Sequence, residues 1–236
     1  MGYEFDWGLP FRKPYIDWLI SGLWLTALLT LVTTAGSFSL GIVAADFRLA
    51  RYRLAKLISI VFVEVFRNIP TLFWLFFFFF VLPEVADSHL GVKLNRWPGL
   101  PLAAACFALI LSNGAHVAEI IRSGVQSIPK NQQAAALSLG LSPLRVSWSI
   151  TLPQALRVSL PALGPRMVHN FHNTSLALVI SVRELTWQTQ QIESYTFRGF
   201  EAVTVATLVF VSLSLLMTVG FRLLERWGSR WSLSLS

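Results

Sequence analysis

An all-α, polytopic membrane fold is the class this sequence predicts, and three observations carry that reading. The chain is 54% hydrophobic with a mean hydropathy of +0.60, too apolar for a soluble domain that must show charge to water. Five apolar segments, about 18–45, 57–82, 100–121, 158–182 and 202–224, are long enough to cross a hydrocarbon core of ~30 Å. The basic residues behind the net charge of +7 fall in alternate loops rather than along one face, so the charge reports membrane topology and excludes a nucleic-acid surface.

Orientation follows from Lys and Arg. One set of flanks holds eleven of the 19 basic residues, Arg48, Arg51, Arg53, Lys56, Arg122, Lys130, Arg145, Arg157, Arg222, Arg226 and Arg230, beside only Asp46 and Glu225. The opposite set holds Arg12, Lys13, Lys93, Arg96, Arg183 and Arg198 against eight acids. The positive-inside rule makes the first set cytoplasmic, with the N-terminus outside and the C-terminus inside. Segment 1–17 lacks the basic start and cleavage site of a signal peptide and is expected to be retained. Its Trp7, Phe11 and Tyr15, with Trp18, interleave with charges, which suits a periplasmic segment at the membrane interface or a disordered lead-in. The domain 18–226 then carries the spans, and 227–236 is a cytoplasmic tail. Cys106 is the only cysteine, so an internal disulfide and a thiolate metal cluster are both excluded.

The first span is rich in Thr26, Thr30, Thr33, Thr34, Ser37 and Ser39, with Gly36 and Gly41 allowing helices to approach closely. The second holds Glu64 and Arg67, three residues apart, which read either as an intramembrane ion pair or as part of a transport path. Pro70 is expected to kink it, and the run FWLFFFFFVLP beyond is apolar all round, as packing requires. In the third, Asn113, His116 and Glu119 share a helical face. One His with one Glu is a poor metal set, and Glu119 has Arg122 within pairing distance along the helix.

The fourth span crowds Arg166, His169, Asn170, His172, Asn173, Thr174 and Ser175 into its centre. Polar groups at that density are tolerated in a bilayer only where they face protein or water, which makes Arg166, Asn170, His172, Asn173, Thr174 and Ser175, with Asn113, the candidate translocation path. Two readings stand for Arg166: it clamps a substrate carboxylate with parallel hydrogen bonds, or it pairs with Glu64 or Glu119. The fifth span is conventional, with Ser212, Ser214 and Thr218, and Trp18, Trp97, Trp187, Trp227 and Trp231 fit interfacial anchors.

The loop 119–153 is an amphiphilic interruption that predicts two short cytoplasmic helices. Pro129 opens the first, Gly140 closes it in a left-handed cap, and Ser142 followed by Pro143 opens the second. About eleven residues give the first a length of roughly 16 Å, too short to span. Its Ala134, Ala135, Ala136, Leu137 and Leu139 offer a small-residue face to another protein, with Lys130, Arg145 and Arg157 around it.

The spacing A-A-x-x-x-G-x(9)-I-x-L-P, here Ala135, Ala136, Gly140, Ile150, Leu152 and Pro153, resembles the coupling-helix loop of permease subunits in bacterial ABC importers. EVFRNIP at 64–70 and HNTSL at 172–176 resemble the polar amino acid subfamily, and EVFRNIP with IRSGVQSIPK at 121–130 resembles the glutamate/aspartate permeases most. The resemblance implies the type I importer permease fold in the bacterial inner membrane and a coupling segment of Gln132, Ala134, Ala135, Ala136, Gly140 and Leu141 in loop 122–157. It implies cytoplasmic ATP-binding subunits that hold ATP and magnesium, a second permease, a periplasmic substrate-binding protein and an amino-acid substrate, glutamate or aspartate ahead of glutamine, a basic amino acid or an opine. The chain itself is expected to bind no cofactor and to be no enzyme, since it has no Walker lysine loop, G-x-S-x-G or H-E-x-x-H. Ala134 stands where the family carries Glu before the two alanines, which points to a paralogous second permease that keeps the glutamate. A non-transporting membrane scaffold is the rival class; it accounts for the helices and basic loops but not for the polar fourth span.

Overall fold

The computed structural model describes residues 3–49 and 52–230, all helix and turn with no strand among them. Arg51, Trp231, the tail from 231 onward and the first two residues lie outside the described residues. The helices are α1 (Tyr15–Leu49), α2 (Arg53–Asn68), α3 (Thr71–Phe76), α4 (Leu82–Leu90), α5 (Leu100–Gln126), α6 (Lys130–Ser138), α7 (Pro143–Val146), α8 (Leu152–Asn173), α9 (Leu185–Thr196) and α10 (Gly199–Arg230). Among the described residues four helical stretches are long and apolar enough to cross a membrane: Tyr15–Arg48, Thr71–Leu90, Leu100–Gln126 and Gly199–Trp227.

Two predicted spans are corrected. The segment 57–82 is not one helix, because α2 ends at Asn68 and Ile69 is extended (φ −98°, ψ 129°). A proline ring disfavours helical conformation in the residue before it, so Pro70 stops α2 and opens α3 instead of kinking a single rod. The segment 158–182 starts and ends earlier than expected. α7 runs through the π-turn Ser147–Thr151 into α8, so the second short loop helix is the first turn of a longer rod, and after Asn173 the chain tightens into the 3-10 stretch Thr174–Ile180 and a left-handed Ser181. This rod is too polar to join the four apolar spans.

Both π-turns have one cause. Phe77–Val81, which joins α3 to α4, ends two residues before Pro83, and Ser147–Thr151 ends two residues before Pro153. Proline donates no hydrogen bond and its ring crowds the carbonyl one turn back, and widening that turn keeps the helix continuous.

The chain forms two compact units. The first comprises residues up to Thr34, Pro70–Leu109 and His169–Leu216. Its main core sets Leu29 of α1 and Leu75 of α3 against Ala104, Ala105 and Ala108 of α5 and Ala177 and Ile180 of the 3-10 turn; Phe76, Phe78 and Phe79 pack on it, which accounts for half of the phenylalanine run. A second cluster joins Leu19 to Leu185 and Ile192 of α9 and Ala202 and Ala206 of α10. Glu184 caps α9, accepting from the amides of Thr186 and Trp187 at 2.9 Å each. Burial pushes its carboxyl up to about 7, against the pull of those two amides. The N-terminal segment is held from Tyr3 onward: Tyr3 donates to the Glu201 carboxylate, which also accepts from the Asp6 amide at 2.9 Å.

The second unit comprises Ala35–Ile69, Ile110–Val168 and the chain from Met217. Ala45 of α1, Val117 and Ile121 of α5, and Leu163 and Met167 of α8 form its core. Gly36 and Gly41 do bring α1 against α5: a β-carbon at Gly41 would lie 2.7 Å from Val117 Cβ and 3.1 Å from the Ala118 amide. Gly220 of α10, by contrast, has open space around it. Gly41→Ala should therefore destabilise the detergent-solubilised subunit by about 1–3 kcal/mol through overpacking, while Gly220→Ala should leave the melting temperature at or above that of the parent. Thermal melts of the two variants side by side make the test, and equal shifts would remove the close-packing assignment.

Candidate functional site

The polar residues of the fourth predicted span do not converge on one point. In the second unit, Arg166 Nε donates to Asn113 Oδ1 at 2.6 Å, and Asn113 Nδ2 donates to Ser37 Oγ at 2.7 Å, with Met167 Sδ at 3.9 Å. Asn113 is 1% exposed, and Arg166 is partly exposed. Among the described residues no carboxylate lies within ion-pair distance of Arg166, so its pairing with Glu64 or Glu119 is not what the fold builds.

Those two carboxylates have other partners. Glu119 is bonded by Arg122 (Nε to Oε2, 3.0 Å) and lies 3.5 Å from Arg48 and 4.0 Å from Arg67; Glu64 lies 3.8 Å from Arg67 and 3.9 Å from Arg48. The Glu64–Arg67 pair expected along α2 is thus one edge of a network over α1, α2 and α5. Arg48 is the member that sequence reasoning counted only as a loop flank. Nothing in local spacing places it beside residues 64 and 119, which the crossing of α1 and α2 brings to it.

In the first unit, Asn170 is buried and donates to Thr33 Oγ1 at 2.9 Å and to Thr34 Oγ1 at 3.3 Å, tying α8 to α1. Thr174, also buried, returns its hydroxyl to the Phe171 carbonyl at 2.7 Å. These two bond helices and backbone together and present nothing to a solute. His172 and Ser175 instead line an open cavity of about 310 Å³ with Thr186, Thr189, Thr207 and Phe210. His172 Nε2 sits 2.7 Å from Ser214 Oγ, and Asn173 Nδ2 sits 3.3 Å from His169 Nδ1. Sequence reasoning missed Thr186 and Thr189; the polar run LTWQTQQ at 185–191 is the signal that marks them.

The loop of the second unit forms a nine-residue α6 with Pro129 as its N-cap residue rather than its first helical one. Gly140, at φ +81°, ends it: the Leu141 amide bonds the Ala136 carbonyl and the Gly140 amide the Leu137 carbonyl, a Schellman cap. Ser142 caps α7, as its position before Pro143 predicts. The outward face is narrower than expected. Gln132, Ala134, Ala135, Leu137 and Leu139 are exposed, but Ala136 is 5% exposed and points inward, and Leu141 is half-buried. Ser147 Oγ bonds Asp46 Oδ1 at 3.1 Å and fastens the loop to the end of α1.

Asn113 is the joint of this arrangement, and Asn113→Leu should strip Arg166 of its acceptor and cost about 1.5–3 kcal/mol. The expected outcome is a lower melting temperature with the helical content kept, read by circular dichroism; an unchanged melt would show that Arg166 is held elsewhere.

Residues 37–229 match the family described as binding-protein-dependent transport system inner membrane component. The Glutamine transport system permease protein GlnP of Escherichia coli (strain K12) is 34% identical over 223 residues, covering 94% of this chain and 97% of that protein. The Glutamate/aspartate import permease protein GltJ of the same strain is 27% identical over 235 residues, covering 96% of each. The crystal structure of an amino acid ABC transporter with histidines superposes with a TM-score of 0.79 at 29% identity, covering 96% of this chain and 99% of that one. The MetNI methionine ABC transporter, at 18% identity and a TM-score of 0.73, shares the fold. With the all-helical fold, the polar α8 and the capped loop in place, the chain belongs to the binding-protein-dependent transport system inner membrane components, as a permease subunit of the amino acid ABC importers.

Proposed function

We propose that this permease passes a polar amino acid across the bacterial inner membrane and that Arg166 takes the substrate's carboxylate on the way. One observation carries the reading: Arg166 donates Nε to a neutral amide and has no carboxylate partner among the described residues, within a stretch where an uncompensated cation is expensive. Its two terminal nitrogens match the two oxygens of a carboxylate, and the Asn113–Ser37 chain holds the guanidinium in place for it. The α-carboxylate is common to all amino acids, and it uses up that cation. An amide side chain asks for no second cation once Arg166 is used up, which favours glutamine over glutamate or aspartate. The 34% identity to a glutamine permease, against 27% to a glutamate/aspartate one, supports the same order.

The work of transport is done with partners. Two ATP-binding subunits on the cytoplasmic side hold ATP and magnesium, a periplasmic binding protein delivers the amino acid, and a second permease closes the path. The basic flanks of loop 122–157 support a cytoplasmic loop, with the N-terminus periplasmic and the C-terminus inside. The exposed Ala134, Ala135 and Leu137 of α6, with Leu139 just past its end, form the surface that docks in a groove of the ATPase. Ala134, in place of the family's glutamate, fits a paralogous rather than identical second permease.

Two experiments test this. In proteoliposomes holding the full transporter, Arg166→Gln should cut ATP-driven uptake of labelled glutamine at least tenfold, the scale of a lost charge-assisted pair. Asn113→Asp, which gives Arg166 a permanent carboxylate, should do the same with assembly intact; uptake unchanged in both variants overturns the Arg166 role. Accumulation of glutamate in preference to glutamine overturns the amide assignment alone. Separately, Ala135→Glu should abolish copurification of the ATPase without lowering the melting temperature, because Ala135 is exposed, and retained copurification would remove α6 from the docking surface.

A further inference from the structure

Once Pro70 has stopped it, α2 stands as a helix of its own, and it has three faces. Ser59 and Val63 are buried: Ser59 Oγ donates to the Ala44 carbonyl at 2.6 Å, and Val63 packs on Ala44 and Ala118. A second face carries Leu54, Leu57, Ile58, Val61 and Val65, spaced i, i+3, i+4, i+7 and i+11, all exposed. Between these runs a charged face, Arg53 and Lys56 in the first turn and Glu64 and Arg67 toward the last, with half-buried Ile60 between the two pairs.

Charges at both ends of a helix this short, gathered on one side of an open apolar face, leave no stretch long enough to cross a hydrocarbon core. A helix lying in the interfacial plane has that distribution, its apolar face among the acyl chains and its basic stripe among the headgroups. At 16 residues, or ~24 Å, α2 is also shorter than a span. The charge around it is unbalanced. Arg48, Arg53, Lys56, Arg67 and Arg122 face only Glu64 and Glu119, and Arg48 Nη1 is buried without a hydrogen-bond partner among the described residues.

We propose that α2 lies in the plane of one membrane–water interface and binds the phosphate headgroups of anionic phospholipids along the stripe that Arg53 and Lys56 begin and the arginine-rich Arg48–Arg67–Arg122 network ends. Exposed Arg53 and Lys56 supply the attraction, worth roughly fivefold in affinity for each side chain near an anionic surface. The aliphatic face fixes the depth. Glu64 and Glu119 hold the three arginines in position without cancelling them.

The single native cysteine makes the test direct. In a Cys106→Ser background, Leu54→Cys, Leu57→Cys, Val61→Cys and Val65→Cys are nitroxide-labelled in the full chain, reconstituted in nanodiscs of phosphatidylcholine with phosphatidylglycerol. Depth is then read from collision with oxygen against a water-soluble nickel chelate. The four labels should report one common shallow depth, whereas a spanning α2 would separate the first from the last by about 16 Å. Labels shielded from both relaxants would mean that protein covers this face. Either of those results overturns the proposal. In the same discs, spin-labelled phosphatidylglycerol should associate more strongly than phosphatidylcholine, and Arg53→Gln with Lys56→Gln should reduce that preference roughly fivefold per side chain removed. A preference unaffected by the double variant overturns the lipid site. So does equal binding of inorganic phosphate in discs of phosphatidylcholine alone, which would assign the stripe to a free anion.

Discussion

Two hydrogen bonds on the side chain of Asn113 hold together much of what gives the second unit its character. The carboxamide accepts from Arg166 of α8 and donates to Ser37 of α1, at 2.6 and 2.7 Å, from a position 1% exposed. A guanidinium without a carboxylate is costly where water is excluded, and a neutral amide lowers that cost without neutralising the charge. An aspartate at the same position would quench Arg166; an aliphatic residue would leave it stranded. The amide holds the cation without neutralising it.

The same economy governs how the helices approach. α1 reaches α5 through Gly36 and Gly41, where a β-carbon would overlap Ile110 or Val117, and Asn170 bonds the hydroxyls of Thr33 and Thr34 within the first unit. Lipid offers no hydrophobic drive for helices to associate, so small residues and interhelical hydrogen bonds have to supply it. The two π-turns ahead of Pro83 and Pro153 serve the backbone in the same way, letting proline sit inside long helices without breaking them.

At the ends of α1 and α5, charge takes over from packing. Three arginines share Glu64 and Glu119, and the loop is fastened nearby through Ser147 and Asp46. α6 is short and closed by a glycine in the left-handed region, so its orientation comes from its caps and from buried Ala136 rather than from its own stability.

Several features were set by sequence alone, because their causes are local or compositional. The membrane class follows from hydropathy, the caps at Gly140 and Ser142 from backbone chemistry, the close approach at Gly36 and Gly41 from missing side chains, and the Glu119–Arg122 pair from helical spacing. Tertiary structure alone decided where the polar groups of residues 166–175 go. Their spacing predicts one lined path, but three destinations emerge: Arg166 to Asn113, Asn170 and Thr174 into helix contacts, and His172 and Ser175 to a cavity shared with Thr186 and Thr189. It decided too that Arg48 belongs with Glu64 and Glu119 and that Ala136 faces inward. The physical reason is common to all of these. Hydropathy and periodicity say that a residue needs a partner or a face, but the partner is supplied by a helix distant in sequence, and only the crossing of the helices determines which one it is.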